Sequence, residues 1–155
     1  MKVVNDENGI SYNIFEDTGT TVCTLTDSNG KTYRGVAYCH DADRDMQSEK
    51  VGMAIANARA KIELYKTCRD DSRLALAALN QLYYSMKHSK RFNPKSYEAK
   101  MLYKQINYLT EDLKENKYLI DLTKNQLEAY LTTKERDHKQ LRDFLKKKEL
   151  AEDNQ

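Results

Sequence analysis

The sequence is short of the residues that interrupt helices. Pro94 is the one proline in 155 residues, and there are five glycines. Because proline removes a backbone donor and glycine favours turns, long stretches without either one permit uninterrupted helices. The chain also lacks any run of roughly eighteen apolar residues, and it turns polar at Asn5 and Asp6. We therefore expect no membrane span and no signal peptide, and a soluble protein of the cytoplasm.

Cysteine is also scarce, and its spacing argues against a disulfide framework. Cys23, Cys39 and Cys68 form an odd set without a Cys-x-x-Cys pair. Cys39 is followed directly by His40, but adjacent side chains on a strand point to opposite faces. We therefore expect reduced thiols rather than a disulfide or a zinc site.

One acidic loop resembles a calcium site in its spacing. Asp41, Asp43 and Asp45 alternate, but the glycine at the sixth position and the glutamate at the twelfth are absent. A solvated loop before the next helix is the commoner structure for such a pattern. We expect no metal and no cofactor.

Motifs that carry catalysis are absent as well. The sequence has no Gly-rich phosphate loop, no Gly-x-Ser-x-Gly and no His-Glu-x-x-His. Its three histidines, His40, His88 and His138, are scattered along the chain. Without a paired acid and base or an activated nucleophile, the chain is predicted not to be an enzyme.

The charge distribution is more informative than the net charge of +2. Residues 1–47 hold four Lys/Arg against eight Asp/Glu, a net of −4, so the remainder carries +6. A phosphate backbone requires a contiguous basic face, and the acidic first part disfavours nucleic acid as a partner.

Three segments of the first part have the pattern of strands. Residues 10–16 alternate, residues 21–26 are rich in β-formers, and residues 31–39 follow the Asn29-Gly30 turn. Tyr33, Val36 and Tyr38 are the main apolar side chains of the third segment. The pattern predicts an antiparallel meander, to which residues 2–5 could add a fourth strand.

From Glu49 the pattern changes to a helical period. Residues 49–67 are rich in small side chains that permit close approach to a sheet, with Ser48 as a candidate N-cap. Residues 70–72 either cap a second segment or continue the same helix. The helix is predicted to end near Lys90, and Asn93 and Pro94 to begin a final helix that reaches about Lys148.

The final helix carries a narrow seam of apolar residues in alternating steps of three and four. Its apolar members include Leu102, Ile106, Leu109, Leu113, Ile120 and Leu127, and Asn116 and Thr123 occupy the steps between the last three. A seam flanked by charged residues buries little unless a second helix lies against it. That helix comes from the same chain folding back, from another copy, or from both. We expect these residues to support a homodimer or a larger homo-oligomer.

Together these patterns predict an α+β fold in which long helices follow a small N-terminal sheet packed on a helix. We expect three segments: residues 1–47 with the meander and the acidic loop, residues 48–90 with the sheet-packing helix and its extension, and residues 91–155 with the oligomerisation helix.

The predicted helix junction, residues 83–93, concentrates aromatic rings and cations. Rings suit the stacking of a base and fixed cations suit a phosphate, so the segment fits a nucleotide-like ligand. The alternative is a basic helix end, because cations there interact favourably with the helix dipole. This alternative is the commoner one for such a segment.

A resemblance lies in residues 30–37, 43–48, 52–56 and 59–60. Their hairpin, acidic loop and Ala-rich helix resemble small phage proteins of Gram-positive hosts, and the overall plan is similar to the first-described type of Thoeris anti-defence protein. This resemblance implies a phage-encoded sponge, acting in the cytoplasm of an infected bacterium, that sequesters a cyclic ADP-ribose isomer between protomers without hydrolysing it. It also implies interlocked dimers that can build larger rings, and possible binding of cyclic oligonucleotides at a separate site.

The resemblance places the ligand near the helix junction. The candidate ligand-binding residues are Tyr83, Tyr84, Lys87, Arg91, Phe92, Asn93 and Tyr103. The alternative function is a phage coiled-coil protein that inhibits a host or defence protein by direct docking.

Overall fold

A computed structural model describes residues 1–39 and 49–154. Its elements are β1 (Lys2–Asn5), β2 (Ser11–Phe15), β3 (Thr20–Thr26), β4 (Thr32–Tyr38), α1 (Glu49–Lys87) and α2 (Tyr97–Asp153). The predicted α+β class is confirmed, and residues 2–5 do add a fourth strand. The acidic loop with Asp41, Asp43 and Asp45, and the candidate cap Ser48, lie outside the described residues.

The four strands form one antiparallel sheet in sequence order, β1-β2-β3-β4. Each strand pairs with the next one along the chain, as a meander requires. In the turn between β3 and β4, Gly30 has φ of 82°, a conformation that glycine adopts without strain. The Asp27 carboxylate accepts hydrogen bonds from the Asn29 and Lys31 amides, both at 2.9 Å. These bonds fix the β3–β4 register.

One face of the sheet forms the core. Its buried residues are Tyr12, Ile14, Thr21, Cys23, Leu25, Tyr33, Gly35 and Ala37. Of the three main apolar side chains of the third predicted segment, Tyr33 is buried, Val36 is half-buried and Tyr38 is exposed. Side chains alternate along a strand, so the buried partners of Tyr33 are the small Gly35 and Ala37. Tyr38 lies on the opposite face and is 74% exposed.

Helix α1 packs on this face through its smallest residues. A Cβ added to Gly35 would overlap the Ala56 carbonyl oxygen and the Ala60 nitrogen, so β4 and α1 touch backbone to backbone. Arg59 Nη1 donates to the Val36 carbonyl oxygen at 2.6 Å, which occupies one acceptor on the edge strand β4. Small side chains at these positions are therefore a packing requirement.

The thiol of Cys23 lies in the centre of this core and has no solvent exposure. Burial raises its pKa to about 11, because the thiolate would lose its hydration. Cys39 and Cys68 are half-buried, and all three cysteines are reduced thiols. Cys23 therefore acts as a small apolar side chain in the core.

The contacts divide the chain into two compact units. One unit contains Met1–Lys61 and Thr123–Gln155, and the other is Ile62–Leu122. The second unit is an antiparallel helical hairpin of the C-terminal part of α1 and the N-terminal part of α2. Helix α1 continues through residues 70–72 without a break, so those residues do not cap a new helix.

A polar layer crosses the hairpin. Ser72 Oγ donates to Asp112 Oδ2 at 2.6 Å, and Asn116 Nδ2 donates to the Asp112 carbonyl oxygen at 3.0 Å. Ser72 and Asn116 are both buried. A polar group in an otherwise apolar seam favours one register over its neighbours, because any shift leaves the polar atoms without partners.

The seam of α2 lies around this layer. Leu102 and Ile120 are buried, whereas Ile106, Leu109, Leu113 and Leu127 are half-buried. Because α1 contacts α2 at Ser72–Asp112, the same chain supplies a second helix in this unit. The second helix that the seam requires therefore comes, in this unit, from the same chain folding back. Assembly through these residues stays a prediction.

We expect Gly35→Ala to destabilise the protein by about 1–3 kcal/mol, the usual cost of overpacking a close contact. The added methyl group would force β4 away from the α1 backbone. Chemical denaturation monitored by circular dichroism measures the change, with Thr26→Ala at an exposed strand position as the control. An unchanged stability for Gly35→Ala would contradict the close approach.

Ser72→Ala should lower the free energy of unfolding by about 1–3 kcal/mol, because Asp112 loses a donor at a part-buried site. Ser85→Ala is the matched control. The Ser85 hydroxyl is exposed and bonds only to the Gln81 carbonyl of its own helix. Equal effects of the two substitutions would show that the polar layer does not stabilise the hairpin.

Candidate functional site

The connection between the helices builds the candidate site. Helix α1 ends at Lys87 and α2 begins at Tyr97. The prediction that Asn93 caps α2 was wrong: Ser96 Oγ accepts from the Ala99 amide at 3.2 Å, the bond of an N-cap. Asn93 Oδ1 instead accepts from the Lys95 amide at 3.0 Å, a local turn that precedes the helix. The segment offered two capping side chains, and the one nearer the helix is used.

Backbone hydrogen bonds fold the connection back over the end of α1. The Ser89 amide donates to the Met86 carbonyl oxygen at 3.0 Å, and the Phe92 amide donates to the Ser89 carbonyl oxygen at 3.1 Å. Two successive turns of this kind reverse the chain within a few residues. As a result, the ring of Phe92 faces a ring on α1.

Three rings meet at this point. Tyr83 and Phe92 have their ring centroids 6.1 Å apart at an interplanar angle of 90°, an edge-to-face contact. Tyr83 and Tyr103 are 6.2 Å apart at 52°. These distances lie within the range in which aromatic pairs attract each other. The cluster joins α1, the connection and α2.

Two clefts open beside the cluster, and Phe92 lines both. The ring cleft, of about 170 Å³, is lined by Tyr83, Phe92, Pro94, Ala99, Lys100 and Tyr103. The polar cleft, of about 300 Å³, is lined by Met86, Ser89, Arg91, Phe92, Asn93, Ser96 and Glu98.

The two clefts differ in charge. Lys100 is the one permanently charged residue in the lining of the ring cleft, so that cleft combines aromatic surface with a cation. The polar cleft holds charges of both signs, from Arg91 and Glu98, besides the amide and hydroxyl groups of its lining. The ring cleft favours a flat anionic group, whereas the polar cleft offers both donors and acceptors.

The structure brings five of the seven candidate ligand-binding residues to these clefts. They are Tyr83, Arg91, Phe92, Asn93 and Tyr103. Tyr84 and Lys87 line neither cleft. Tyr84 is 66% exposed, and its ring lies 4.3 Å from that of His88. Adjacent helical residues project about 100° apart, so Tyr83 and Tyr84 have different surroundings.

Lys100 and Glu98 are lining residues that the sequence analysis did not identify. Lys100 precedes Tyr103 by three residues, so the two share one side of α2. Lys100 could have been identified from the sequence, because it lies about one helical turn before the predicted site residue Tyr103. Glu98 follows the cap Ser96 by two residues. Its place in the cleft could not be predicted without knowing that the helix begins after Ser96.

Comparisons of the chain with protein-family models, with curated proteins and with solved structures found no match. Within the described residues, no helix is long and apolar enough to cross a membrane. In residues 1–39 and 49–154, no cluster of three or more His, Cys, Asp or Glu has an arrangement suited to a metal ion.

Ser96→Ala should destabilise the start of α2 by about 1 kcal/mol, because the Ala99 amide loses its acceptor. Ser96→Asp, which keeps a capping oxygen, is the control and should retain stability. Hydrogen exchange of the Ala99 amide gives a local readout. If its protection is the same in the alanine variant, Ser96 is not the cap.

Proposed function

We propose that the helix junction binds and sequesters a cyclic ADP-ribose-type immune signal without hydrolysing it, as a phage-encoded anti-defence sponge. The observation that carries the proposal is the ring cleft, in which three aromatic residues surround a space beside Lys100. Such a signal consists of a flat base, two riboses and a pyrophosphate. Each part has a matching group at the junction.

The rings supply the binding surface for the base. Tyr103 is 55% exposed, so one side of its ring is open to a ligand. Stacking of a base on an aromatic side chain contributes roughly 1–3 kcal/mol in single-stranded nucleic-acid complexes. Tyr83 and Phe92 hold each other edge to face, which limits their motion before the ligand arrives.

The charged residues of the two clefts suit different parts of the rest of the ligand. Lys100 lines the ring cleft, and we assign the pyrophosphate to it, because charge-assisted hydrogen bonds are about twice as strong as neutral ones. Arg91 in the polar cleft offers a second cation. Glu98 repels a phosphate, but its carboxylate accepts hydrogen bonds from ribose hydroxyls. We therefore assign the phosphates to the Lys100 side and a ribose to the Glu98 side.

Sequestration requires tight binding and slow release rather than chemistry. In the described lining of the two clefts, Glu98 is the single carboxylate, and no histidine or cysteine accompanies it. Glu98 shares the lining of the polar cleft with no second carboxylate, histidine, cysteine, lysine or tyrosine that could act as its acid–base partner. The arrangement thus supports a protein that binds its ligand and returns it unchanged.

The size of the ring cleft supports a pocket shared between protomers. At about 170 Å³ it is smaller than the roughly 300–1,000 Å³ of pockets that enclose drug-sized ligands. It suits one ring rather than a whole cyclic ADP-ribose molecule. We propose that a second protomer encloses the remaining part of the ligand.

The direct test is isothermal titration with the cyclic ADP-ribose isomers, comparing wild type, Tyr83→Ala and Lys100→Met. We expect each variant to weaken binding by roughly tenfold or more, because a stacking ring or a phosphate contact is lost. Tyr84→Ala is the matched control. It removes the neighbouring tyrosine, which lines neither cleft, and should bind as wild type does.

Absence of heat with every isomer would contradict the proposed function. Equal affinity of Tyr83→Ala and wild type would contradict the assignment of the site. A loss of binding in Tyr84→Ala but not in Tyr83→Ala would move the site to the other side of α1.

The alternative is a coiled-coil inhibitor that docks on a host or defence protein. The observation in its favour is the last part of α2, where Leu141, Phe144 and Leu145 are exposed, Phe144 by 63%. Lysines at positions 146–148 follow these apolar residues. If titration gives no heat with any isomer, this alternative becomes the better proposal.

A further inference from the structure

Helix α2 carries a second seam on the side away from α1. Beginning at Tyr97, alternating steps of four and three residues select Tyr97, Met101, Lys104, Tyr108, Glu111, Glu115, Tyr118 and Leu122. All eight are exposed. Tyr108 follows Ile106 by two residues, which turns it about 200° around the helix. This second seam therefore lies opposite the seam that faces α1.

The second seam is unusually apolar for a solvent-facing side of a helix. Tyr97 is 72% exposed, Tyr108 71% and Tyr118 63%, and Met101 and Leu122 are exposed on the same side. The series keeps its spacing over more than three seven-residue repeats, the length that is typical of a coiled coil. A side of this kind buries little unless another helix lies on it.

We infer that two copies of the chain pair in antiparallel orientation through this second seam. When the second seam of one copy runs antiparallel to that of another, the side chains that face each other are complementary. The facing pairs in an antiparallel pair of helices are Tyr97 with Leu122, Met101 with Tyr118, Lys104 with Glu115, and Tyr108 with Glu111. At both ends of the seam the facing side chains are apolar, and between the ends Lys104 faces the carboxylate of Glu115. In a two-fold symmetric dimer each of these pairs occurs twice.

The parallel arrangement is disfavoured by the same residues. It would place Lys104, Glu111 and Glu115 each against its own copy, and like charges in apposition oppose association. Within one chain, Glu111 pairs with Lys114 at 3.3 Å, but the Glu111 side chain remains 75% exposed. An exposed pair of this type is weak, so the carboxylate is available to a hydrogen bond from Tyr108 of the second copy.

The pairing leaves the first seam in place, since Leu102 and Ile106 keep their contacts within the chain. It also brings the Leu122 end of the second copy beside Tyr97, three residues from Lys100 of the ring cleft. The second copy thus forms a wall near the cleft. The pairing of the two copies does not depend on a ligand.

Charge reversal at the Lys104–Glu115 contact tests the pairing and its direction. We expect sedimentation equilibrium to show a dimer for wild type at micromolar concentration. Lys104→Glu and Glu115→Lys should each weaken dimerisation by roughly tenfold or more, because both symmetric contacts become repulsive. The double variant should regain the affinity of wild type. Arg73→Glu, an exposed charge reversal on α1, is the control and should leave dimerisation unchanged.

An equimolar mixture of the two single variants is the sharpest measurement. In an antiparallel heterodimer, both contacts again join opposite charges, so the mixture should dimerise about as tightly as wild type and more tightly than either variant alone. Circular dichroism checks that every variant keeps the helical content of wild type. A monomeric wild type, single variants that dimerise as tightly as wild type, or a mixture that stays monomeric would each overturn the inference.

Discussion

The hydrogen bond from Ser72 to Asp112 fixes how the two helices of the hairpin lie against each other. An apolar seam alone permits neighbouring registers, whereas a buried polar pair permits one. The junction depends on this constraint, because Tyr83 meets Tyr103 only when α1 and α2 are held in this register. A shift by one helical turn would separate the rings and open the ring cleft.

Different sides and positions of α2 carry different groups of residues. The side with Leu102 and Ile120 is buried, the opposite side carries the second seam, and the first turns carry Lys100 and Tyr103 at the clefts. Nothing in this arrangement requires a large single core. In the other unit, the packing of α1 on the sheet through Gly35, Ala56 and Ala60 supplies a core of its own. Long surfaces of α2, among them the second seam, are exposed.

Much of this was predictable from residue spacing, and the failures have specific causes. The period change at Glu49 and the seam of α2 placed the elements correctly, because both patterns extend over many residues. Val36 and Tyr38 are not in the core with Tyr33, because side chains alternate between the two faces along the strand. Asn93 was predicted as the cap because it precedes Pro94, a residue that favours the first helical position, whereas the helix begins after Ser96. Lys100 was missed although it lies one helical turn before Tyr103, whereas the cleft itself arises from tertiary contact between the helices.

The proposed function requires the helix junction to hold a nucleotide signal and to release it intact. Its most direct measurement is mass spectrometry of the purified protein, incubated with a cyclic ADP-ribose isomer, washed, and then heat-denatured to free its ligand. We expect recovery of the added isomer at unchanged mass from wild type, and little from Tyr83→Ala. Recovery of a hydrolysed product, or of no nucleotide from wild type, would contradict it.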